Sequence, residues 1–241
     1  MNYSFRKDEW LTKQLGKVVY QLIISEMNAE LFFQDLENLK NNHTNVKFFV
    51  FSKVSTHALD IWQCLEKTGF KLIDTNVKLE LNGNILSEWE LQKDIEICFA
   101  EKKYQKATGK IARDNFIYSR FHLDPLIKND LANQIKKNWV ENYFLGKRGD
   151  KMVLALMDVE PVGFLQLNIK DKDLFIDLIG VDKKVQGKGI ASAMIRYADQ
   201  NIEHSCIKVG TQIGNLPSIK LYQKLGFVLS GSDYVFHYHN R

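Results

Sequence analysis

No stretch of this 241-residue chain approaches the roughly 18 consecutive apolar residues that a membrane helix requires, so no membrane partner is expected. The opening segment Met1-Asn2-Tyr3-Ser4-Phe5-Arg6-Lys7-Asp8 is charged without an apolar core behind it, and does not read as a secretory signal. Cysteine is scarce: Cys64, Cys98 and Cys206 show no paired spacing, which excludes a disulfide framework. Their apolar neighbours make them small buried hydrophobes, and a reducing cytoplasm is the expected compartment. Neither charge sign dominates, with 33 Lys and Arg against 29 Asp and Glu, a net charge of +4 spread along the chain. There is no basic stripe interleaved with aromatics, so no nucleic-acid partner is expected, while a mildly positive chain suits an anionic small molecule.

What is present is an ordinary globular composition, 45% apolar and 26% charged, long enough for one large domain or two small ones. Lys17–Ile24 is β-branched and apolar, a strand; Ala29–Lys40 has the helical period; Val46–Phe51 reads as a second strand. Ser55 suits an N-cap for a helix to Thr68, stopped at Gly69, and Phe70–Leu81 alternates as a long strand. A polar joint near Ser87–Lys93 then divides the chain into residues 1–90 and 91–241. Beyond it come a strand at Asp94–Ala100, a mostly helical Lys102–Tyr118, and a loop at Ser119–Pro125. A helix at Asp130–Tyr143 leads to strands at Met152–Met157, Val162–Ile169 and Leu174–Val181. The remainder reads as a helix from about Ala191 to Glu203, a strand Cys206–Gln212, a helix Asn215–Leu225, and strands Phe227–Leu229 and Tyr234–His239. A degenerate repeat is visible as well. Ile61 to Phe70 and Ile219 to Phe227 both run helix, Gly-Phe, strand, with Leu65 standing where Tyr222 does.

The chain is organised around Gln186-Gly187-Lys188-Gly189-Ile190-Ala191, between an apolar strand and a helix. That order aims backbone N–H groups and a helix N-terminus at one point, an anion site made of main chain. Glycine at 187 and 189 removes side chains that would hold a phosphate away. A dinucleotide fold would want glycine three residues after Gly189, where Ser192 stands, and a P-loop would want Gly-Lys-Ser/Thr.

Gln186-x-x-Gly189-x-Ala191 resembles the Q/R-x-x-G-x-G/A loop of the GCN5-related N-acetyltransferase superfamily. Asn215-x-x-Ser218-x-x-x-Tyr222 running into Leu225-Gly226-Phe227 resembles that superfamily's second cofactor motif. The resemblance covers residues 94–241 and implies an α/β fold, a mixed and mostly antiparallel sheet flanked by helices. The first 90 residues are then a smaller α/β domain, by the repeat a truncated cousin without the glycine loop. The two-part layout, Ser119-Arg120-Phe121 and Gly210-Thr211-Gln212-Ile213-Gly214-Asn215 are further similar to the nucleotide-sugar N-acyltransferases of the dTDP-fucosamine acetyltransferase type. That likeness implies transfer of an acyl group from acyl-CoA, either acetyl-CoA or a larger donor such as 3-hydroxybutanoyl-CoA. The implied acceptor is the amino group of a dTDP-linked amino-dideoxyhexose destined for surface polysaccharide, and the implied assembly is a homodimer.

Amide formation from a thioester needs a bound donor, an oxyanion donor and proton management. Amides of Gln186 to Ala191 (Gln186, Gly187, Lys188, Gly189, Ile190, Ala191) would hold the CoA pyrophosphate, and an N–H near Ile179 or Val181 would line the thioester carbonyl. Asn215 suits a helix cap or a contact to the pantetheine arm. Tyr222 is the candidate donor to the leaving thiolate. Full transfer from a phenol of pKa near 10 to a thiolate whose acid lies near 8.5 is uphill by roughly 2 kcal/mol, so a hydrogen bond is the more natural contribution. No base is obvious: Asp177 is a candidate, His122, Asp124, His237 and His239 are further options, and water or a substrate phosphate would also serve; Arg120, His122 and Asp124 are candidate substrate residues. His237 and His239 share a strand face, but no third ligand stands at a sensible spacing, and no metal is expected. The rival readings are an N-acetyltransferase of another primary amine and a non-catalytic acyl-CoA sensor.

Overall fold

The computed structural model describes residues 2–83, 85 and 94–240, so the expected joint at Ser87–Lys93 lies outside the described residues. Its elements in the first half are β1 (Asn2–Lys7), α1 (Glu9–Leu15), β2 (Val18–Glu26), α2 (Ala29–Asn41), β3 (Phe48–Ser55), α3 (Leu59–Lys67) and β4 (Lys71–Asn82). Then follow β5 (Ile95–Phe99), α4 (Gln105–Asn115), α5 (Arg120–Leu123), α6 (Asn129–Phe144), β6 (Lys151–Met157), β7 (Glu160–Lys170) and β8 (Asp173–Val181). The chain ends with α7 (Ile190–Asn201), β9 (Cys206–Gln212), α8 (Leu216–Lys224) and β10 (Val228–His239).

Two compact units result, and they do not follow the 1–90 and 91–241 division. The first takes Met1–Asn76, Arg120–Ile127 and Gly231–Arg241; the second takes Val77–Ser119 and Lys128–Ser230. The reason is hydrogen bonding that the linear sequence conceals. β10 pairs antiparallel with β3 from Asp233↔Ser55 to His239↔Phe49, which ties the C-terminal strand to the first unit. The second half of β4 serves the other unit, where Val77, Leu79 and Leu81 join its core.

In the first unit the strand order is β1-β2-β3-β10. β2 and β3 are parallel, which requires a crossover, and α2 supplies it. Phe32 and Leu36 from α2 and Leu65 from α3 are fully buried with Phe48, Val50 and Phe236. In the second unit the order is β4-β9-β8-β7-β6-β5. The β5-β6, β6-β7 and β7-β8 pairs are antiparallel, and β8-β9 is parallel with α7 as its crossover. Met194, Ile195 and Ala198 of α7 bury themselves against this sheet. α7 comes close to β7 because residue 163 is glycine, where a Cβ would lie 3.1 Å from the Met194 methyl.

The repeat holds at the level of individual bonds. Phe70 N–H donates to Leu65 O and Phe227 N–H to Tyr222 O, each at 3.0 Å. Gly69 and Gly226 both sit at φ +94°, the left-handed end that lets each helix stop in this way.

Several expectations are corrected. The helix after β3 begins at Leu59, with Ala58 at the cap position, while Ser55 ends the strand. Ser119–Pro125 is not all loop, since Arg120–Leu123 makes one helical turn. The two last strands are one continuous β10, and β1 escaped notice because a short, mostly exposed strand carries little apolar alternation. No helix among the described residues is long and apolar enough to cross a membrane.

Candidate functional site

All the residues expected to hold the acyl donor lie in the second unit. β8 delivers the chain to Asp182, whose carboxylate caps a short 3-10 turn by accepting from Lys184 N–H at 2.9 Å. Gln186 folds back, its Nε2 donating to Val181 O at 2.9 Å, which closes the loop between strand and helix. Gly187 and Gly189 then adopt φ +81° and +78°, where L side chains are disfavoured. Gly189 is the N-cap of α7 and has no side chain to satisfy the helix's first amides, so those amides are open to an external acceptor. Gln186, Gly187 and Lys188 are exposed. The arrangement is an anion cradle on the axis of a 12-residue helix.

The neighbouring strands part where a thioester would need room. β8 and β9 pair from Asp173↔Cys206 to Ile176↔Val209, and the pairing stops there. β8 nevertheless continues to Val181 and β9 to Gln212, so Ile179 and Val181 lie on a stretch that β9 no longer covers. On the other edge they remain held, opposite Leu165 and Gly163 of β7. At the end of β9, Asn215 caps α8: its Oδ1 accepts from Ser218 N–H at 3.4 Å and its Nδ2 donates to Thr211 Oγ1 at 3.2 Å.

Residues 116–227, which contain the cradle, the parting strands and α8, match the Acetyltransferase (GNAT) family. They carry the GNAT fold. The spore coat polysaccharide biosynthesis protein SpsD of Bacillus subtilis strain 168 is 33% identical over 135 residues, 55% of this chain and 46% of that protein. Streptothricin acetyltransferase of Escherichia coli is 37% identical over 91 residues, 36% of this chain and 52% of that protein. The chain thus spans about half the length of these curated relatives. Among solved structures, a GCN5-related N-acetyltransferase from Kribbella flavida superposes with a TM-score of 0.62, covering 91% of this chain and 80% of that one at 13% identity, a likeness of fold.

Within the matched stretch, Tyr222 is 2% exposed and belongs to the core that Phe227 and Leu225 complete. Burial pushes its phenol above the ordinary range, which keeps it protonated and makes complete proton transfer costlier still. It can donate a hydrogen bond; it is a poor acid.

Asp177 does not have the surroundings of a base. Its Oδ2 accepts from Arg148 Nε at 2.8 Å, Trp139 Nε1 at 3.0 Å and Gln166 Nε2 at 3.0 Å, and its Oδ1 from Arg148 Nη2 at 2.9 Å. These donors saturate Oδ2 and take one of the two acceptor sites of Oδ1, so the carboxylate is held in place from three segments of the chain. Sequence reasoning missed Arg148, Trp139 and Gln166, which come from three separate segments without any motif.

The expected substrate residues Arg120, His122 and Asp124 lie in the first unit, on α5 and just after it. Arg120 lays its guanidinium on the Phe51 ring, 3.7 Å from the centroid. Asp124 is 2% exposed and its Oδ2 meets His237 Nδ1 at 2.6 Å and His239 Nε2 at 2.7 Å. A carboxylate so enclosed and engaged is a structural anchor, which corrects its assignment to substrate binding.

The third partner that the histidine pair lacked in sequence therefore exists in space, and the three ligand atoms lie within 4.8 Å of one another. The outer nitrogens do not suit a metal. Coordination through His239 Nε2 would turn its Nδ1–H toward the Lys17 ammonium at 3.0 Å, and coordination through His237 Nδ1 would leave a buried Nε2–H that has no acceptor among the described residues. With His237 Nδ1 and His239 Nε2 donating to Asp124 and Lys17 donating to His239 Nδ1, three hydrogen bonds hold the set, and His237 Nε2 is left without a partner among the described residues.

This knot makes stability depend on pH. Burial pushes His237 down to about 4 against an ordinary 6.5, despite the bond to Asp124; nearby Arg120 and His239 act in the same direction. Between those values the unfolded chain takes up a proton that the fold refuses, so stability falls as pH falls from about 6.5 to 4. Asp124 adds to this at lower pH. Burial alone would raise it, but bonds from His237, His239 and the Leu126 amide bring it below its ordinary range, so its contribution is present above its unfolded value of 3.8 and lost as pH drops through the folded one. Urea midpoints across pH 4–7 should show this slope, and His237→Gln should flatten it. An unaltered slope would remove His237 as its source.

Proposed function

We propose that this chain is an acyl-CoA-dependent N-acyltransferase that modifies the amino group of a dTDP-linked amino-dideoxyhexose for surface polysaccharide synthesis. The observation that carries the acyl-CoA assignment is the left-handed glycine pair opening α7 inside the stretch that matches the GNAT family. Amides of Gly187 to Ala191 hold the pyrophosphate, with Gln186 bracing the loop. The pantetheine runs along the parting of β8 and β9, where an amide near Ile179 or Val181 polarises the thioester carbonyl. The amine nitrogen attacks that carbon, the C–S bond breaks, and Tyr222 hydrogen-bonds the departing thiolate. The amine proton leaves to water or to a substrate phosphate, because an amino sugar deprotonates more readily than lysine and the Asp177 carboxylate is held by Arg148, Trp139 and Gln166. Asn215 serves as the cap of α8.

The sugar acceptor is supported by the similarity to SpsD, whose name places that protein in polysaccharide synthesis. The acyl group is acetyl or a larger one such as 3-hydroxybutanoyl. A second reading, acetylation of another primary amine, is favoured by the similarity to streptothricin acetyltransferase. Thiol release on mixing the protein with acetyl-CoA and a panel of amines separates them. dTDP-3-amino and dTDP-4-amino dideoxyhexoses are expected to react. If they are inert while a free amine reacts, the sugar reading is lost; CoA binding without turnover of any amine would leave a sensor.

A further inference from the structure

The antiparallel pairing of β7 and β8 steps from Leu167↔Ile176 to Gln166↔Leu178, passing over Asp177. Asp177 is thus the extra residue of a β-bulge. It sits one residue past Ile176, where the pairing of β8 with β9 ends. Successive backbone N–H groups of a strand point to opposite edges, so the presence of one extra residue decides which amides of Leu178 to Val181 face β7 and which face the opening. Without the bulge the same residues would present the opposite set.

A bulge gives up a place in the ladder, and here β9 offers no support beyond it. The side chain of the bulged residue supplies the restraint. Its carboxylate is gripped by the forked Arg148 guanidinium, by Trp139 from α6 and by Gln166 from β7. Arg148 also stacks 3.7 Å from the centre of the Trp139 ring, and Gln166 is fully buried. Gly149, at φ +80°, lets the Arg148 loop press on Gln166, since a Cβ there would come 3.1 Å from that side chain.

We propose that the Arg148–Asp177 pair is a clamp that fixes the β8 bulge and so aims the amides that line the acyl group. Asp177 is a positioning residue in this scheme, and its effect on turnover rests on the acyltransferase reading above. The clamp is tested without substrate by hydrogen exchange. Asp177→Asn and Arg148→Lys should each accelerate exchange at Leu178 to Val181, with circular dichroism confirming a folded protein. Trp139→Phe, which removes one donor, should give a smaller acceleration and covers the case in which the stronger variants fold poorly.

In turnover, each of the first two variants should lose about 10²-fold in kcat at saturating acyl-CoA. Their dissociation constants for CoA should stay within about threefold of the wild type, because the cradle is untouched. The double variant should be no worse than either single one, as for two halves of one device. The acid limb of the pH profile should keep its position. Unchanged exchange in Asp177→Asn overturns the clamp, as does wild-type turnover in Arg148→Lys. Loss of the acid limb overturns it in favour of a base. Accelerated exchange in a protein that acylates no amine would sustain the clamp and sink the reaction instead.

Discussion

Gly187→Asn is expected to weaken CoA binding about tenfold, and Gly187→Asp about tenfold further. Asparagine and aspartate are the side chains that best tolerate the left-handed region, so φ +81° strains neither variant severely. Nor does the protein resist them, since nothing lies within 4 Å of a Cβ added at this position. The new atoms therefore meet only what binds in the cradle. Asparagine tests steric access of an anion to the loop amides; aspartate adds a charge facing it. Calorimetric titration of CoA reads both, and raising the salt concentration should narrow the gap between them. Equal affinities for the two variants at low salt would mean that no phosphate sits at this loop.

Tyr222→Phe should lower kcat about 10²-fold while the CoA dissociation constant changes by less than about threefold. The first unit explains why the loss should be chemical and not structural. Leu65 occupies the corresponding place there, fully buried, and its carbonyl accepts the same bond from Phe70 that Tyr222 accepts from Phe227. The joint therefore folds without a hydroxyl, and thermal stability should be nearly unaltered by the substitution. Because burial holds the phenol protonated, the contribution is a hydrogen bond present across the neutral range. A variant with wild-type turnover would take Tyr222 out of the mechanism.

The cradle was legible in the sequence because its chemistry is local. Two glycines, a preceding strand and a following helix are contiguous, and the required backbone angles follow from residue type alone. The same holds for Asn215 as a cap and for the helix-Gly-Phe-strand repeat. Asp177 was legible as a position, while its surroundings were not. A carboxylate on a strand looks like a base until its neighbours are known, and Arg148, Trp139 and Gln166 approach it from 29, 38 and 11 residues away. The histidine pair failed in the same way, since its partner Asp124 stands 113 residues from His237.

By itself, then, the sequence determined the glycine loop and the helix that it opens, and these carry the proposal that an anion binds there. Local backbone preference and hydrophobic period carry that information over a dozen residues. Only the tertiary structure decided which half of the chain each late strand serves, that Asp177 is the extra residue of a bulge, and that Asp124 closes on two histidines. Those outcomes depend on strand register and on side chains meeting across long loops, where pairing energy is spread over many residues and no short motif records it.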